Sequence, residues 1–159
     1  MEVVEGDILD PASLTAAVAG VDAAYYLIHN MSYGHGYTSL EVESAHAFAL
    51  AAEKAGIQHI VYLGGLADPE QHIAPHMRSR IETGRSLREG KVPVTEFRAG
   101  VIAGSGSISF EMIRYLTERV PVMICPRWLY TRAQPLAIRN VLDYLLAAQY
   151  PNGGFPQWW

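Results

Sequence analysis

The side chains best suited to chemistry follow apolar runs: Gly6-Asp7, His29-Asn30, Gly64-Gly65 and the stretch from Arg98 to Gly106. A histidine in such a place can hold or release a proton near neutral pH. An arginine can bind a phosphate or carboxylate but will not deprotonate. His72 and His76 are four residues apart, the interval that puts two imidazoles on one helical face for a metal. Pro75 interrupts that interval and no HExxH pattern or third ligand follows, so no metal is expected. His29 and His35 with Tyr33 and Tyr37 form a polar aromatic stretch that either closes over a substrate or is an ordinary surface loop. Ser105, Ser107 and Ser109 stand outside any G-x-S-x-G elbow, which argues against a hydrolase nucleophile. Cys125, before Pro126, has no cationic partner fixed by sequence and reads as an inert thiol.

The elements that must position these residues alternate in type. Val3-Val4 reads as a short strand closed by Gly6-Asp7. Asp10 before Pro11 is an N-cap acceptor followed by proline at the first helical position, and Gly20 marks that helix's end. Ala23 to Ile28 reads as a strand buried on both faces, and Leu40 to Ala55 as an alanine-rich helix stopped by Gly56. The alternation repeats with a strand over Ile60 to Leu63, an amphipathic helix over Pro75 to Glu89, and a strand over Val92 to Phe97. A helix over Phe110 to Arg119, an irregular stretch from Pro121 to Gln134 and a last helix follow. Ile138, Val141, Leu142, Leu145 and Leu146 give that last helix an apolar stripe. Nearly all-apolar strands between helices predict a parallel α/β sheet covered on both sides, with ligands beyond the carboxyl ends of the strands. The GSGS run from Gly104 to Ser107 has the wrong spacing for a phosphate-binding turn and reads as a loop-to-helix cap.

Composition narrows the classes further. The chain has 159 residues, 50% of them hydrophobic and 18% charged, which suits one globular domain over residues 1–150. A formal charge of -4 gives no reason to expect nucleic acid or an anionic membrane as partner. The densest apolar stretch, Ala45 to Ala52, is too short to span a bilayer, and no secretory leader pattern precedes the first strand. With a single cysteine, a cytoplasmic setting is expected. Residues 151–159 form an irregular tail rich in Pro, Gly and Trp, and Trp158 and Trp159 suggest packing on another surface.

The stretches VVEGDILDPASLTAAVAGVDAAYYLIHNM, HIVYLGGL, HMRSRIETGRSL, VPVTEFRAGVIAGSGSISFEMIRYL and PLAIRNVLDYLL resemble, in this order, the NmrA-like and epimerase-like atypical short-chain dehydrogenases/reductases. The resemblance implies a Rossmann-type domain that binds NADP or NAD. Asp7 and Ile8 would then lie at the adenine, and Ile28, His29 and Asn30 would line the ribose and pyrophosphate. The segment Arg98, Ala99, Gly100, Val101 and Ile102 would approach the nicotinamide. From the residues alone, Asp7 can equally close a turn and His29 can be an ordinary strand-end histidine.

Two departures qualify the resemblance. The glycine-rich turn that presents backbone N–H groups to the pyrophosphate has no counterpart, so the expected fold is a partial Rossmann-type sheet lacking its first βαβ unit. Catalytic members also carry Tyr-x-x-x-Lys on a helix and a serine at the preceding strand end. Here His76 stands for the tyrosine, Arg80 for the lysine, and Gly64-Gly65 for the serine. His76 can relay a proton and Arg80 can bind ribose or phosphate, but the usual mechanism is not available. The resemblance therefore supports an oxidoreductase or epimerase lineage, a non-catalytic dinucleotide sensor, or an inactive fragment. A missing first unit leaves a sheet edge bare, which predicts a homodimer or a complementing chain.

Overall fold

The computed structural model describes residues 3–29, 37–67, 73–122 and 133–149. Asn30, Tyr33, His35, His72, Cys125 and residues 150–159 fall outside them. Two compact units divide the chain, one of residues 1–98 with 149–159 and one of residues 99–148.

The first unit begins with α1 (Pro11–Ala17), capped as its sequence demands. The Asp10 carboxylate accepts from the N–H groups of Ala12 and Ser13 at 3.1 and 3.3 Å, with Pro11 in the first turn. Gly20 follows with φ +71°, and Gly56 closes α2 (Tyr37–Ala55) with φ +76°. Both are in the left-handed region that a side chain would strain. The strands are β1 (Ala23–Tyr26), β2 (His59–Gly65) and β3 (Val94–Ala99), in the order β1-β2-β3. β1 runs parallel to β2 with Ala23 opposite His59 and Tyr26 opposite Tyr62. On the other side of β2, the Ile60 N–H donates to the Pro93 carbonyl at 2.9 Å. A helix, α3 (Pro75–Arg88), links β2 to β3, packs on α2 and covers β2. The α/β class and the parallel sheet are thus as the alternation predicts.

The core of this unit joins Leu14 and Val18 of the α1 region to Tyr26, Phe48, Ala52, Ile60, Tyr62 and Leu87. Burying each of the larger apolar side chains contributes about 1.5–3 kcal/mol. Tyr26 centres an aromatic group, its ring 5.1 Å from Phe48 and 6.1 Å from Tyr62.

Two expectations fail here. Val3-Val4 is not a strand, and Val3 is 83% exposed. A strand needs a hydrogen-bonded neighbour, and among the described residues none pairs with this run. β1 is not buried on both faces either: Tyr26 is enclosed but Tyr25 is 49% exposed, as befits the outer strand of the sheet.

The second unit holds a small parallel pair, β4 (Ile102–Ala103) with β5 (Leu136–Ala137), and two helices, α4 (Ile108–Arg119) and α5 (Ile138–Ala148). Ser107 takes the N-cap position of α4, so the loop-to-helix reading of Gly104 to Ser107 matches the backbone. Its hydroxyl donates to the Ile102 carbonyl at 2.9 Å and makes no cap bond. In α5 the apolar stripe exists, yet Val141 is its buried member while Ile138, Leu142 and Leu146 are exposed.

Candidate functional site

In a parallel sheet all carboxyl ends point one way, so the residues after β1, β2 and β3 stand in one row. His29 lies three residues past β1, Gly64-Gly65 end β2, and Arg98 stands at the end of β3. Arg80, in the second turn of α3, joins the row through its side chain. Its Nη1 lies 2.9 Å from His29 Nε2 and 3.2 Å from Nδ1. A guanidinium only donates, so the imidazole nitrogen that meets it must be unprotonated. Lost hydration first, and the Arg80 charge second, hold the His29 pKa below the ordinary 6.5, while the Glu41 carboxylate pulls it the other way.

Arg80 is fixed from three directions. Gly65 has no side chain, and a Cβ there would lie 2.6 Å from Met77 Cε and 3.1 Å from Arg80 Cδ. The glycine therefore gives space to the arginine stem. A side chain here would meet both neighbours. The Tyr62 hydroxyl donates to the Arg80 carbonyl at 3.0 Å. Burial pushes the Tyr62 phenol up to about 12, so it remains a donor at any physiological pH. Next in sequence, fully buried Ser79 donates to the carboxylate of Glu41, itself 4% exposed, and so ties α3 to α2.

His76 is exposed in the first turn of α3, one turn before Arg80 on the same helix. The imidazole that touches Arg80 is that of His29, 51 residues away in sequence. Spacing cannot reveal such a contact.

Asp7, Ile8 and Ile28 share a second feature, an open cleft of about 590 Å³. Its other walls include Leu14, Val18 and Phe48, which the motif reading did not single out. Apolar periodicity around Leu14 and Phe48 marks them as core, and they serve as both core and wall. Asp7 also closes a turn: its Oδ1 accepts from the Leu9 N–H at 2.9 Å, and its own N–H donates to Ser13 Oγ at 2.8 Å.

At the end of β3, Arg98 pairs with Glu96 through Nε at 3.0 Å and Nη2 at 3.3 Å. Arg88 reaches the same carboxylate through Nη1 at 2.5 Å. Glu96 was missed by the sequence reading. Ala99, Gly100, Val101 and Ile102 belong to the second unit, where the Val101 carbonyl accepts from Leu136 at 2.9 Å. A Cβ on Gly100 would come within 2.6 Å of the Gln134 carbonyl oxygen. Asn30 and His72 lie outside the described residues. Among the described residues no helix is long and apolar enough to cross a membrane, and no group of three or more His, Cys, Asp or Glu could hold a metal ion.

The first unit is a parallel α/β sheet with polar side chains gathered at its carboxyl ends, and comparison with known proteins gives the family. The model of the NmrA-like family matches residues 1–119, and the chain belongs to that family. Among solved structures, the enzyme WbmG of Bordetella bronchiseptica in complex with NAD superposes with TM-score 0.74 at 16% identity, over 98% of this chain and 56% of that one. Triphenylmethane reductase from Citrobacter sp., complexed with NADP(H), gives 0.55 at 30% identity, over 74% and 39%. A double mutant of DesIV, a dTDP-glucose 4,6-dehydratase from Streptomyces venezuelae with NAD bound, gives 0.68 at 14% identity, over 87% and 51%. The chain thus spans about half the length of these proteins or less. No curated protein sequence matches.

Proposed function

We propose that this chain binds NAD or NADP at the carboxyl ends of β1–β3, as part of a reductase- or epimerase-type protein. The observation that carries the reading is the His29–Arg80 contact past the end of β1, and it is supported by the cleft lined by Asp7, Ile8 and Ile28. Its apolar walls suit the faces of an adenine, and Asp7 offers a carboxylate to a polar edge. Arg80 binds ribose or phosphate oxygen, with neutral His29 as a hydrogen-bond acceptor next to it. Arg98, at the end of β3, serves the nicotinamide end. The cofactor, when bound, supplies hydride acceptance or donation. In the oxidoreductase reading, exposed His76 relays a proton at the substrate oxygen.

A second reading, a dinucleotide sensor without turnover, is favoured by Gly65, whose missing side chain is occupied by Arg80 and Met77. No serine hydroxyl can stand there without moving both. Calorimetric titration of the chain with NADPH and NADH tests the shared part. Binding in the micromolar range is expected, and its absence with both would sink the reading. Oxidation of bound NADPH by carbonyl substrates separates the enzyme from the sensor.

Among the described residues β1 is an outer strand and Leu27 and Ile28 just past it are exposed, which supports packing against a second copy or a complementing chain. A monodisperse monomer in light scattering, with ordinary stability, would rule this out. A cytoplasmic location fits the single cysteine.

A further inference from the structure

Glu96 stands in the middle of β3 with its side chain 7% exposed, and two other elements are shaped around it. A Cβ on Gly64 of β2 would lie 2.6 Å from Glu96 Oε1, and one on Gly84 of α3 would lie 3.1 Å from Oε2. Glycine inside a helix is disfavoured, so Gly84 makes sense as room for this carboxylate. Arg98 and Arg88 both pair with it, which leaves one carboxylate between two guanidiniums and one net positive charge. The two arginines keep Glu96 ionised against the cost of its burial. The Arg98 side chain is 42% exposed and stands at the carboxyl end of β3, where open α/β sheets receive ligands.

We infer that Glu96 is a positioning residue that holds the Arg98 guanidinium ready for a phosphate or carboxylate group of a ligand at the end of β3. The inference rests on the dinucleotide reading above and deepens it. A guanidinium has five N–H donors, and pairing through Nε and Nη2 leaves others for an oxyanion. Holding the side chain in place beforehand removes much of the ordering cost of binding. The oxyanion belongs either to the diphosphate of the cofactor or to an anionic substrate.

The test is a double-mutant cycle on the full chain, with NADPH and inorganic pyrophosphate titrated separately by calorimetry. Arg98→Gln is expected to weaken binding by about tenfold or more, as for a lost hydrogen bond to a charged group. Glu96→Gln should weaken it in the same direction, and the double variant should bind no more weakly than Arg98→Gln alone, because Glu96 acts through Arg98. Arg98-dependent binding of NADPH assigns the anchor to the cofactor. Arg98-dependent binding of pyrophosphate without any of NADPH keeps the anchor, assigns it to a substrate anion, and removes the dinucleotide reading. Additive losses, or a Glu96→Gln variant that melts earlier but binds as the parent does, would overturn the inference while leaving dinucleotide binding intact. So would a parent chain that binds neither probe. Should Glu96→Gln not fold, Glu96→Asp keeps the charge but draws the carboxylate back from Arg98 by one methylene, and takes its place in the cycle.

Discussion

Arg80, on α3, packs against the end of β2, Arg98 stands at the end of β3, and the two are held in opposite ways. Arg80 meets a neutral imidazole, His29, and its stem fills the space left by Gly65. Arg98 meets an ionised carboxylate, Glu96, which fills the space left by Gly64. The first contact exists only while the histidine is unprotonated, so it is lost on acidification below the ordinary histidine range. The second persists until the carboxylate itself is protonated. Two adjacent glycines thus serve two different cations, one adjustable and one fixed.

The largest expected effect comes from closing those spaces. Gly64→Ala sets a methyl group 2.6 Å from Glu96 Oε1 and 3.2 Å from the Tyr62 ring. Tyr62 is fully buried and the carboxylate is clamped by two arginines, so neither yields easily. A loss of about 1–3 kcal/mol in urea unfolding is expected, in the range of core overpacking. Gly65→Ala makes its closest approach to the flexible tip of Met77, with Arg80 Cδ farther off at 3.1 Å, and should cost less. Equal losses for the two would break the comparison.

Next in size is the dependence of stability on pH. His29 and His59 both have pKa values below 6.5 in the folded chain, so the unfolded chain binds more protons as pH falls below that value. Stability from these two groups is therefore present above about 6.5 and declines as pH falls towards their folded values. Glu96 is lowered below 4.5, so its contribution is present above that value and is lost only on further acidification. Thermal melts across the acid range should show two separate declines. Replacing His29 and His59 with glutamine should flatten the first decline and leave the second.

Much of the framework behind these contacts was legible. Asp10-Pro11, Gly20 and Gly56 state where helices begin and end by local chemistry, and the apolar runs around Tyr26 and Ile60 state the strands. β4 and β5 were not legible, because two-residue strands carry no period and are joined across the 32 residues from 104 to 135. Val3-Val4 misled in the other direction: β-branched residues favour extended backbone, but a strand exists only where something pairs with it. In the site, His29, Gly65, Arg80 and Arg98 stand at or just past strand ends or on the adjoining helix, where topology directs a search, while Asp7 follows no strand among the described residues. Glu96 escaped because a charged residue in an alternating strand reads as facing water. Gly84 inside an otherwise good helix was the one trace of it, and its meaning depends on a contact across the fold.

The smallest effect sharpens the difference between the two arginines most directly. Desolvation is the larger cause of the low His29 pKa and the Arg80 charge the second. Arg80→Gln removes only the second, so the His29 pKa should rise part of the way towards its ordinary value, as read from imidazole shifts in an NMR titration. Arg98→Gln should leave that titration unchanged, because the Arg98 charge is engaged by Glu96. Movement of His29 in both variants would mean that the row of strand ends shares one electrostatic field. In that case the imidazole contact and the carboxylate contact could not act as independent anchors, and ligand binding at either end would shift the other.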